Sequence, residues 1–127
     1  MGATFWDLVV AAADEHPDRI LVADPYGREL TTAGLRDAAE QAAAGLGLAA
    51  GDVVSWQLPT VLEAIVLMAA VGRVGALQNP IIPLLREREI RLIATQLGTT
   101  KLVVPTFWRG FDYAAITRAI ATDTALD

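Results

Sequence analysis

Few side chains in this sequence have the chemistry of a catalytic nucleophile or a metal ligand. The chain contains one histidine, His16, one serine, Ser55, and no cysteine. With an aspartate they could form a triad for acyl transfer, but Ser55 lies in a predicted strand and lacks the Gly-x-Ser-x-Gly turn that exposes a nucleophile. His16 lies in the segment DEHPD, which is typical of a solvated helix end, and a single histidine without cysteine is too few for a zinc site. We therefore predict no catalytic and no metal-binding residue in this chain.

Phosphate-binding patterns are also weak. The segment GLGLAAG, residues 45–51, is glycine-rich like a dinucleotide-binding loop. It follows a predicted helix and precedes a predicted strand, which reverses the order that places a phosphate at a helix N-terminus. We interpret it as a helix stop and a turn, because glycine adopts the left-handed conformation without steric cost. Lys101 lies at a predicted strand start and is assigned no phosphate.

The most unusual stretch is QNPIIPLLREREI, residues 78–90. Pro80 and Pro83 fix their own φ angles and push the residues before them toward extended conformations, so the loop is predicted to be stiff. The charged residues that follow predict the solvated face of a helix, with Glu87 and Arg91 as an i,i+4 ion pair. The residues of this face are Arg86, Glu87, Arg88, Glu89 and Arg91. We favour a rigid structural crossover and leave a direct ligand role for this loop open.

Composition limits the classes of function. Hydrophobic residues make up 54% of the 127 residues and the mean hydropathy is +0.41, which is high for a small soluble domain. The longest apolar run, residues 64–72, is too short to span a membrane, and the N-terminus lacks the basic region of a signal peptide. A net charge of −5 argues against nucleic acid as a partner. We predict a cytoplasmic fragment whose exposed apolar surface contacts the rest of a larger protein or a second copy.

Periodicity and turn residues predict helices that alternate with short strands. Thr4 is the predicted N-cap of the first helix with Asp7 completing a capping box, and Thr31 or Thr32 caps the second. The third helix is apolar almost all the way round, as in a helix buried between layers. The alternation predicts an α/β fold, with a mostly parallel sheet and helices on both faces. The predicted helices are TFWDLVVAAADEHPD, TTAGLRDAAEQAAAGL, Thr60 to about Val74, REREIRLIATQLG and GFDYAAITRAIA, and the strands are RILVAD, ELT, DVVSWQL, GALQNP and KLVVP.

Two of these helices carry a stripe of apolar residues that is predicted to face the core. Glu63 is predicted to be exposed in the first turn of the third helix, where an acid suits the helix dipole. The last six residues, TDTALD, are predicted to be frayed. The predicted stripes are Leu35, Ala38, Ala39, Ala42 and Leu46 in the second helix, and Ile90, Ile93 and Leu97 in the fourth.

Four segments follow one another in a specific order: LTTAGLRDAAEQAAAGL, GLAAGDVVSWQLP, LEAIVLMAAVGRVGALQNPIIPLLREREI and KLVVP. In this order and spacing they resemble the N-terminal part of the AMP-forming acyl-CoA synthetases, which belong to the adenylate-forming superfamily. The resemblance covers about Thr4 to Ala121. It implies an N-terminal subdomain of an adenylate-forming enzyme. Departures from the family pattern fall at scaffold positions, namely Thr32, Gly34, Thr60 and Val74.

The segments SWQLP, NPIIPLLREREI and VVPTFWRGFDYAAI are most similar to the cyclohexanecarboxylate-CoA or medium-chain acyl-CoA ligases of that family. The resemblance implies a parent enzyme, a ligase of fatty acid metabolism, that uses ATP, Mg²⁺ and CoA. ATP and a carboxylic acid would give an acyl-adenylate, and CoA would then displace AMP to give a thioester. Residues 1–127 would form one N-terminal scaffold subdomain of this enzyme.

Two family motifs, a Ser/Thr/Gly-rich phosphate loop ending in lysine and a Tyr-Gly-x-Thr-Glu stretch, do not occur in this sequence. The phosphoryl chemistry of such enzymes requires cations and backbone donors around a developing negative charge. We therefore predict that this chain alone is inactive and binds ATP, Mg²⁺ and CoA poorly.

One cofactor-binding residue follows from the resemblance, and it is Arg109 in the segment FWRGFDY. In some relatives, arginines in the segment after this strand approach the nucleotide end of CoA. Arg109 is therefore a candidate to bind a CoA phosphate, and guanidinium is well suited to that role. The alternative is a surface arginine beside packed aromatic rings.

A second hypothesis of a different class is a short, non-enzymatic binding or assembly module of the same fold. A glycine-rich loop ending in lysine downstream of Asp127 would favour the ligase, and a stop codon there would favour the module. The residues of this chain do not identify the carboxylic acid, because the acyl-pocket residues are expected further along the sequence.

Overall fold

The structure is a computed structural model, and it describes residues 2–123. By its internal contacts the chain divides into two compact units, which are described separately. The first unit comprises the residues up to Ala50 together with Thr60–Ala76. The second comprises Gly51–Pro59 and the residues from Leu77 onward.

The first unit is mainly helical. Its strands β1 (Ile20–Ala23) and β2 (Glu29–Thr31) pair in an antiparallel ribbon whose turn contains Gly27 at a φ of 84°. The predicted capping box is confirmed, because the Asp7 backbone N–H donates to Thr4 Oγ1 at 3.1 Å and the Thr4 N–H donates to the Asp7 carboxylate at 2.8 Å. The elements are α1 (Phe5–Glu15), β1 (Ile20–Ala23), β2 (Glu29–Thr31), α2 (Thr32–Gly45) and α3 (Leu62–Val74).

The second unit contains a parallel sheet of three strands, namely β3 (Val53–Trp56), β4 (Leu77–Pro80) and β5 (Lys101–Val103). Their order in the sheet is β4-β3-β5, with β3 in the centre. Adjacent residues of its central strand point to opposite faces, and the side chains of Val54 and Ser55 are both fully buried, so both faces are covered. The predicted α/β class with a parallel sheet is confirmed. The elements are β3 (Val53–Trp56), β4 (Leu77–Pro80), α4 (Glu87–Leu97), β5 (Lys101–Val103), β6 (Phe107–Trp108), β7 (Phe111–Asp112) and α5 (Tyr113–Asp123).

Two predicted helix starts were wrong. The third helix begins at Leu62 instead of Thr60. The last helix begins at Tyr113, because the residues before it form the short antiparallel hairpin β6–β7, which was not predicted from the sequence. Most of the predicted frayed tail lies outside the described residues, although α5 continues to Asp123. Within the described part of the chain, no helix combines the length and apolar character needed to cross a membrane.

Small side chains dominate the core of the first unit. Alanines let two helices approach closely, and Ala39, Ala69 and Ala70 are all fully buried. The predicted stripe of α2 was wrong at its end: Leu46 is 42% exposed, because α2 ends at Gly45 and the buried face stops at Ala43. The buried residues of this core are Val9, Leu35, Ala39, Ala43, Ala69 and Ala70.

The core of the second unit joins α4, β5 and α5. Ile90, Leu102 and Ile120 form its buried centre, with Leu85 and Ile116 packed against it. The prediction for Ile90 is confirmed, since it is 1% exposed. The prediction for Leu97 was wrong. Leu97 is the last residue of α4, directly before the left-handed Gly98, and it is 42% exposed.

An ion pair that the sequence did not indicate links the β1–β2 turn to the start of α3 in the first unit. Arg28 Nη1 lies 2.6 Å from Glu63 Oε1, and Arg28 Nε lies 2.6 Å from Asp24 Oδ2. The hydrogen bond from Arg28 holds the pKa of the Glu63 carboxyl below its ordinary value. Glu63 itself is exposed, as predicted.

This ion pair makes stability pH-dependent. A carboxyl whose pKa is lowered by folding stabilises the fold above its ordinary pKa of 4.5, and that contribution is lost as the pH falls through the lowered value. Thermal unfolding of Glu63→Gln and of the unchanged chain is therefore expected to differ at neutral pH and to converge at acidic pH below 4.5. Glu15→Gln, the same charge change at the exposed end of α1, is the control. Parallel curves for Glu63→Gln and the unchanged chain throughout would contradict the prediction.

Candidate functional site

A recess of about 320 Å³ lies in the second unit, between the loop that precedes α4 and the β6–β7 hairpin. Two arginines and three aromatic rings line it, and the lining residues include no carboxylate. We call it the arginine recess. Its lining residues are Pro83, Leu84, Arg86, Trp108, Arg109, Phe111 and Tyr113.

The hairpin places Arg109 at the rim of the arginine recess. Trp108 pairs with Phe111 across a two-residue loop made of Arg109 and Gly110. Both loop residues have positive φ, 48° at Arg109 and 78° at Gly110, as type I′ turns require. Asparagine or glycine usually occupies the first position, because a larger side chain is strained there. Arginine therefore costs the turn some stability, which favours a role for its side chain.

The Arg109 side chain lies over the Trp108 ring, with the guanidinium carbon 4.6 Å from the ring centroid. Arg109 is exposed and has no ion-pair partner among residues 2–123. These surroundings also agree with the alternative predicted from the sequence, a surface arginine beside packed aromatic rings. What the structure adds is that Arg109 shares the recess with a second guanidinium.

That second guanidinium belongs to Arg86, which was predicted from the sequence to lie on the solvated face of α4. This was wrong: Arg86 is the half-buried N-cap residue of α4, and its guanidinium carbon lies 3.9 Å from the Phe111 ring centroid. Its Nη1 donates to the carbonyl oxygens of Pro83 at 2.7 Å and Leu85 at 3.0 Å. No sequence pattern indicated this arrangement beyond an arginine next to a proline-rich loop.

The stiff loop is held through its carbonyl groups. Gln57 Nε2 donates to the carbonyls of Ile82 and Leu85, both at 2.9 Å. The Tyr113 hydroxyl donates to the Pro83 carbonyl at 2.9 Å. The prolines removed donors from this segment, and side chains that follow β3, cap α4 and begin α5 now satisfy its acceptors. The loop is therefore a structural crossover, as favoured from the sequence, that also forms one wall of the arginine recess.

The chemistry of the arginine recess suits an anion attached to a planar group. Guanidinium groups form charge-assisted hydrogen bonds with phosphate oxygens, and no acidic side chain in the lining competes for them. Phe111 and Tyr113 pack edge to face, with ring centroids 5.0 Å apart, and together with Trp108 they supply an apolar wall. These residues therefore fit a phosphate-bearing ligand with an aromatic ring.

Other residues singled out from the sequence have structural roles. The Ser55 hydroxyl is fully buried and hydrogen-bonded to Thr99 Oγ1 at 2.7 Å and Asn79 Nδ2 at 3.2 Å, so it is no nucleophile. His16 is exposed and follows the end of α1, as predicted. The glycine-rich segment 45–51 ends α2, with Gly47 at a φ of 60°, which confirms the helix stop. Lys101 begins β5, as predicted.

The first unit has an apolar groove of about 300 Å³. Large apolar side chains at its edge are exposed, including Phe5 at 47% and Leu8 at 59%. An exposed apolar surface was predicted from the composition, and this groove is one part of it. Its lining residues are Phe5, Leu8, Val9, Ala12, Leu21, Thr32, Leu35 and Ile65.

Comparisons with known proteins agree with one another. Residues 9–126 match the sequence profile of the family described as AMP-binding enzyme. The salicyl-AMP ligase / salicyl-S-ArCP synthetase of Mycobacterium tuberculosis is 36% identical over 129 residues, which cover 96% of this chain and 23% of that protein. The medium-chain fatty-acid–CoA ligase of Escherichia coli is 29% identical over 110 residues, which cover 84% of this chain and 19% of that protein.

A solved structure is similar in fold. The fatty acyl CoA synthetase of Mycobacterium tuberculosis superposes with a TM-score of 0.81 at 23% identity, covering 96% of this chain and 24% of that one. At this identity the similarity shows the fold alone. The chain thus spans less than a quarter of the length of each of these three proteins.

Proposed function

Because this chain belongs to the family of AMP-binding enzymes, we propose that it is the N-terminal scaffold subdomain of an ATP-dependent ligase that activates a carboxylic acid. The match over residues 9–126 carries this proposal. In the first half-reaction, the carboxylate attacks the α-phosphate of ATP, which gives an acyl-adenylate and releases pyrophosphate. In the second, the thiol of CoA attacks the acyl carbon, and AMP leaves as the thioester forms.

The residues of this chain supply structure more than chemistry to that reaction. Enzymes of the family use ATP and Mg²⁺, and we propose that the groups that hold both lie in the remainder of the parent enzyme, the main partner of this chain. The sequence supports this division, since it lacks the serine- and glycine-rich phosphate loop that ends in lysine. The chain alone is therefore expected to be inactive and to bind these ligands poorly.

We assign the arginine recess to the phosphate-bearing end of CoA, with Arg109 as the phosphate contact. The recess offers the exposed guanidinium of Arg109 at its rim, the half-buried guanidinium of Arg86 inside and an apolar aromatic wall. This combination fits a phosphate next to a planar base. The role of the recess is to bind and orient CoA. The chemistry of the second half-reaction is supplied by the CoA thiol itself.

The relatives of this chain are named for two classes of carboxylic acid and for two acceptors. The sequence segments favour a medium-chain or cyclohexanecarboxylate-CoA ligase, and one relative is named as a medium-chain fatty-acid–CoA ligase. Another is named for salicyl-AMP and for an S-ArCP acceptor. Both an aliphatic and an aromatic acid are therefore candidates, and CoA is the acceptor that the arginine recess favours. A cytoplasmic location and self-association through exposed apolar surface stay predictions.

The test uses the longer protein that carries this chain. ATP–pyrophosphate exchange is measured with octanoate, cyclohexanecarboxylate and salicylate, and thioester formation is then measured with CoA. At least one acid is expected to raise the exchange rate about tenfold or more over background. Salicyl alcohol, which lacks the carboxylate, is the matched control for salicylate.

Two outcomes would contradict the ligase proposal. One is that none of the acids, with ATP and Mg²⁺ present, raises the exchange rate above that of the alcohol control. The other is a native reading frame that stops after Asp127, which would favour the non-enzymatic binding or assembly module. Octanoate strongly preferred over salicylate would support the medium-chain branch, and the reverse preference would support an aryl acid.

A further inference from the structure

We infer that Gln57 is a positioning residue for the arginine recess. It follows β3, the central strand of the parallel sheet, and its side chain is fully buried. Gln57 does not line the recess. It acts on the recess through the loop before α4, whose last residue is Arg86.

The hydrogen bonds of Gln57 show how it acts. One nitrogen, Nε2, donates to the carbonyls of Ile82 and Leu85, which lie on either side of the Pro83–Leu84 peptide. The two contacts fix the curvature of a segment that has few backbone donors of its own. Arg86 comes directly after this segment, so the position of its guanidinium over Phe111 depends on the curvature that Gln57 sets.

The side-chain oxygen of Gln57 indicates that stability alone does not explain a glutamine at this position. Its Oε1 is buried and has no hydrogen-bond partner in the described part of the chain. A buried acceptor without a donor is unfavourable, so an amide at this place is a poor choice for stability alone. Methionine has a similar length and fills the same space without either polar atom. Gln57→Met is therefore expected to fold, while the loop loses both contacts.

A second path holds the same loop. The Tyr113 hydroxyl donates to the Pro83 carbonyl, which also accepts from Arg86 Nη1. Tyr113→Phe removes one of these two donors and keeps the ring in the recess. Tyr113→Phe is therefore expected to displace the Arg86 guanidinium as Gln57→Met does, but by less, since the carbonyl keeps one donor.

For ligand binding, this inference rests on the proposed function. Arg86 brings a second positive charge to the anion assigned to Arg109, with Nε and Nη2 free of hydrogen bonds to residues 2–123. Displacement of Arg86 would weaken CoA binding and leave ATP and acid binding unchanged. A residue that only stabilised the fold would not produce that selective change.

Two measurements test the inference. The first is the NMR shift of the Arg86 side-chain protons, which the Phe111 ring current displaces at a distance of 3.9 Å. Gln57→Met is expected to remove at least half of that displacement, while the methyl signals of Ile90 and Ile120 stay in place. The second is steady-state kinetics of the longer protein, in which the KM for CoA is expected to rise about fivefold, with the KM for ATP within about twofold.

Ser55→Ala is the matched control, because it also removes a buried polar group from the β3 region without touching the loop. It is expected to change neither the NMR shift of the Arg86 side chain nor the KM for CoA. An Arg86 shift that survives in Gln57→Met, a KM for CoA that stays unchanged, or equal effects of Ser55→Ala would each overturn the inference. If the unchanged protein makes no CoA thioester, the proposed function fails, and the NMR shift alone then decides whether Gln57 positions Arg86.

Discussion

Replacement of Arg109 by alanine is expected to raise the KM for CoA about tenfold to a hundredfold in the longer protein that carries this chain. A hydrogen bond to a charged group contributes about 1.5–3 kcal/mol, and this substitution removes the exposed guanidinium at the rim of the arginine recess. The KM values for ATP and for the carboxylic acid are expected to stay within about twofold. Arg118→Ala, on the exposed side of α5 and outside the recess, is the control.

Arg109→Gly separates the role of the side chain from that of the turn. Arg109 has a φ of 48°, which glycine adopts freely and alanine does not. The glycine variant is therefore expected to be more stable than the alanine variant by about 1 kcal/mol, measured by chemical denaturation. Both variants are expected to lose CoA affinity equally. If the glycine variant kept the KM for CoA of the unchanged protein, Arg109 would be only a turn residue and its assignment to CoA would be wrong.

Ile90→Ala is expected to lower the free energy of unfolding by about 2–5 kcal/mol, the usual cost of a large cavity in a core. Ile90 is 1% exposed and packs with Leu102 and Ile120 at the centre of the second unit. Urea denaturation of the isolated chain measures this change, with the midpoint shifted and the slope preserved. A loss of this size is a large fraction of the stability of a small domain.

Leu97→Ala provides the comparison within the same helix. The periodicity of α4 predicts that Leu97 faces the core like Ile90, whereas the structure leaves it 42% exposed. Its replacement is therefore expected to cost less than about 1 kcal/mol. Similar losses for Leu97→Ala and Ile90→Ala would contradict the exposed position of Leu97.

Much of the fold was predictable because its signals are local. The Thr4–Asp7 capping box lies within four consecutive residues, and Thr31 caps α2 by accepting from the Gly34 N–H. Alternating helices and strands gave the α/β class, and the ordered segments gave the family. Errors appeared at element ends, as at Leu46, where a helix stop and a hydrophobic stripe compete and the backbone decides.

The candidate site was predictable only in part. Arg109 was singled out as a candidate through the resemblance. The Arg-Gly pair in a two-residue hairpin loop was not recognised, because arginine is unusual at that position. Arg86 was misplaced because charge patterning assigns every charged residue near a helix start to solvent. Its actual partner, the Phe111 ring, comes from a different part of the chain.

The sequence by itself determined most of the local elements and the α/β class, because caps, turns and periodicity depend on residues a few positions apart. The family followed from the resemblance of its ordered segments to known enzymes. Only the tertiary structure decided that the proline-rich loop, Gln57, Tyr113 and the Arg109 hairpin meet around one recess. The physical reason is that these contacts join residues about thirty positions apart in the chain, as between Tyr113 and Pro83. Which distant groups meet depends on how the sheet and helices pack, and no short sequence pattern records that.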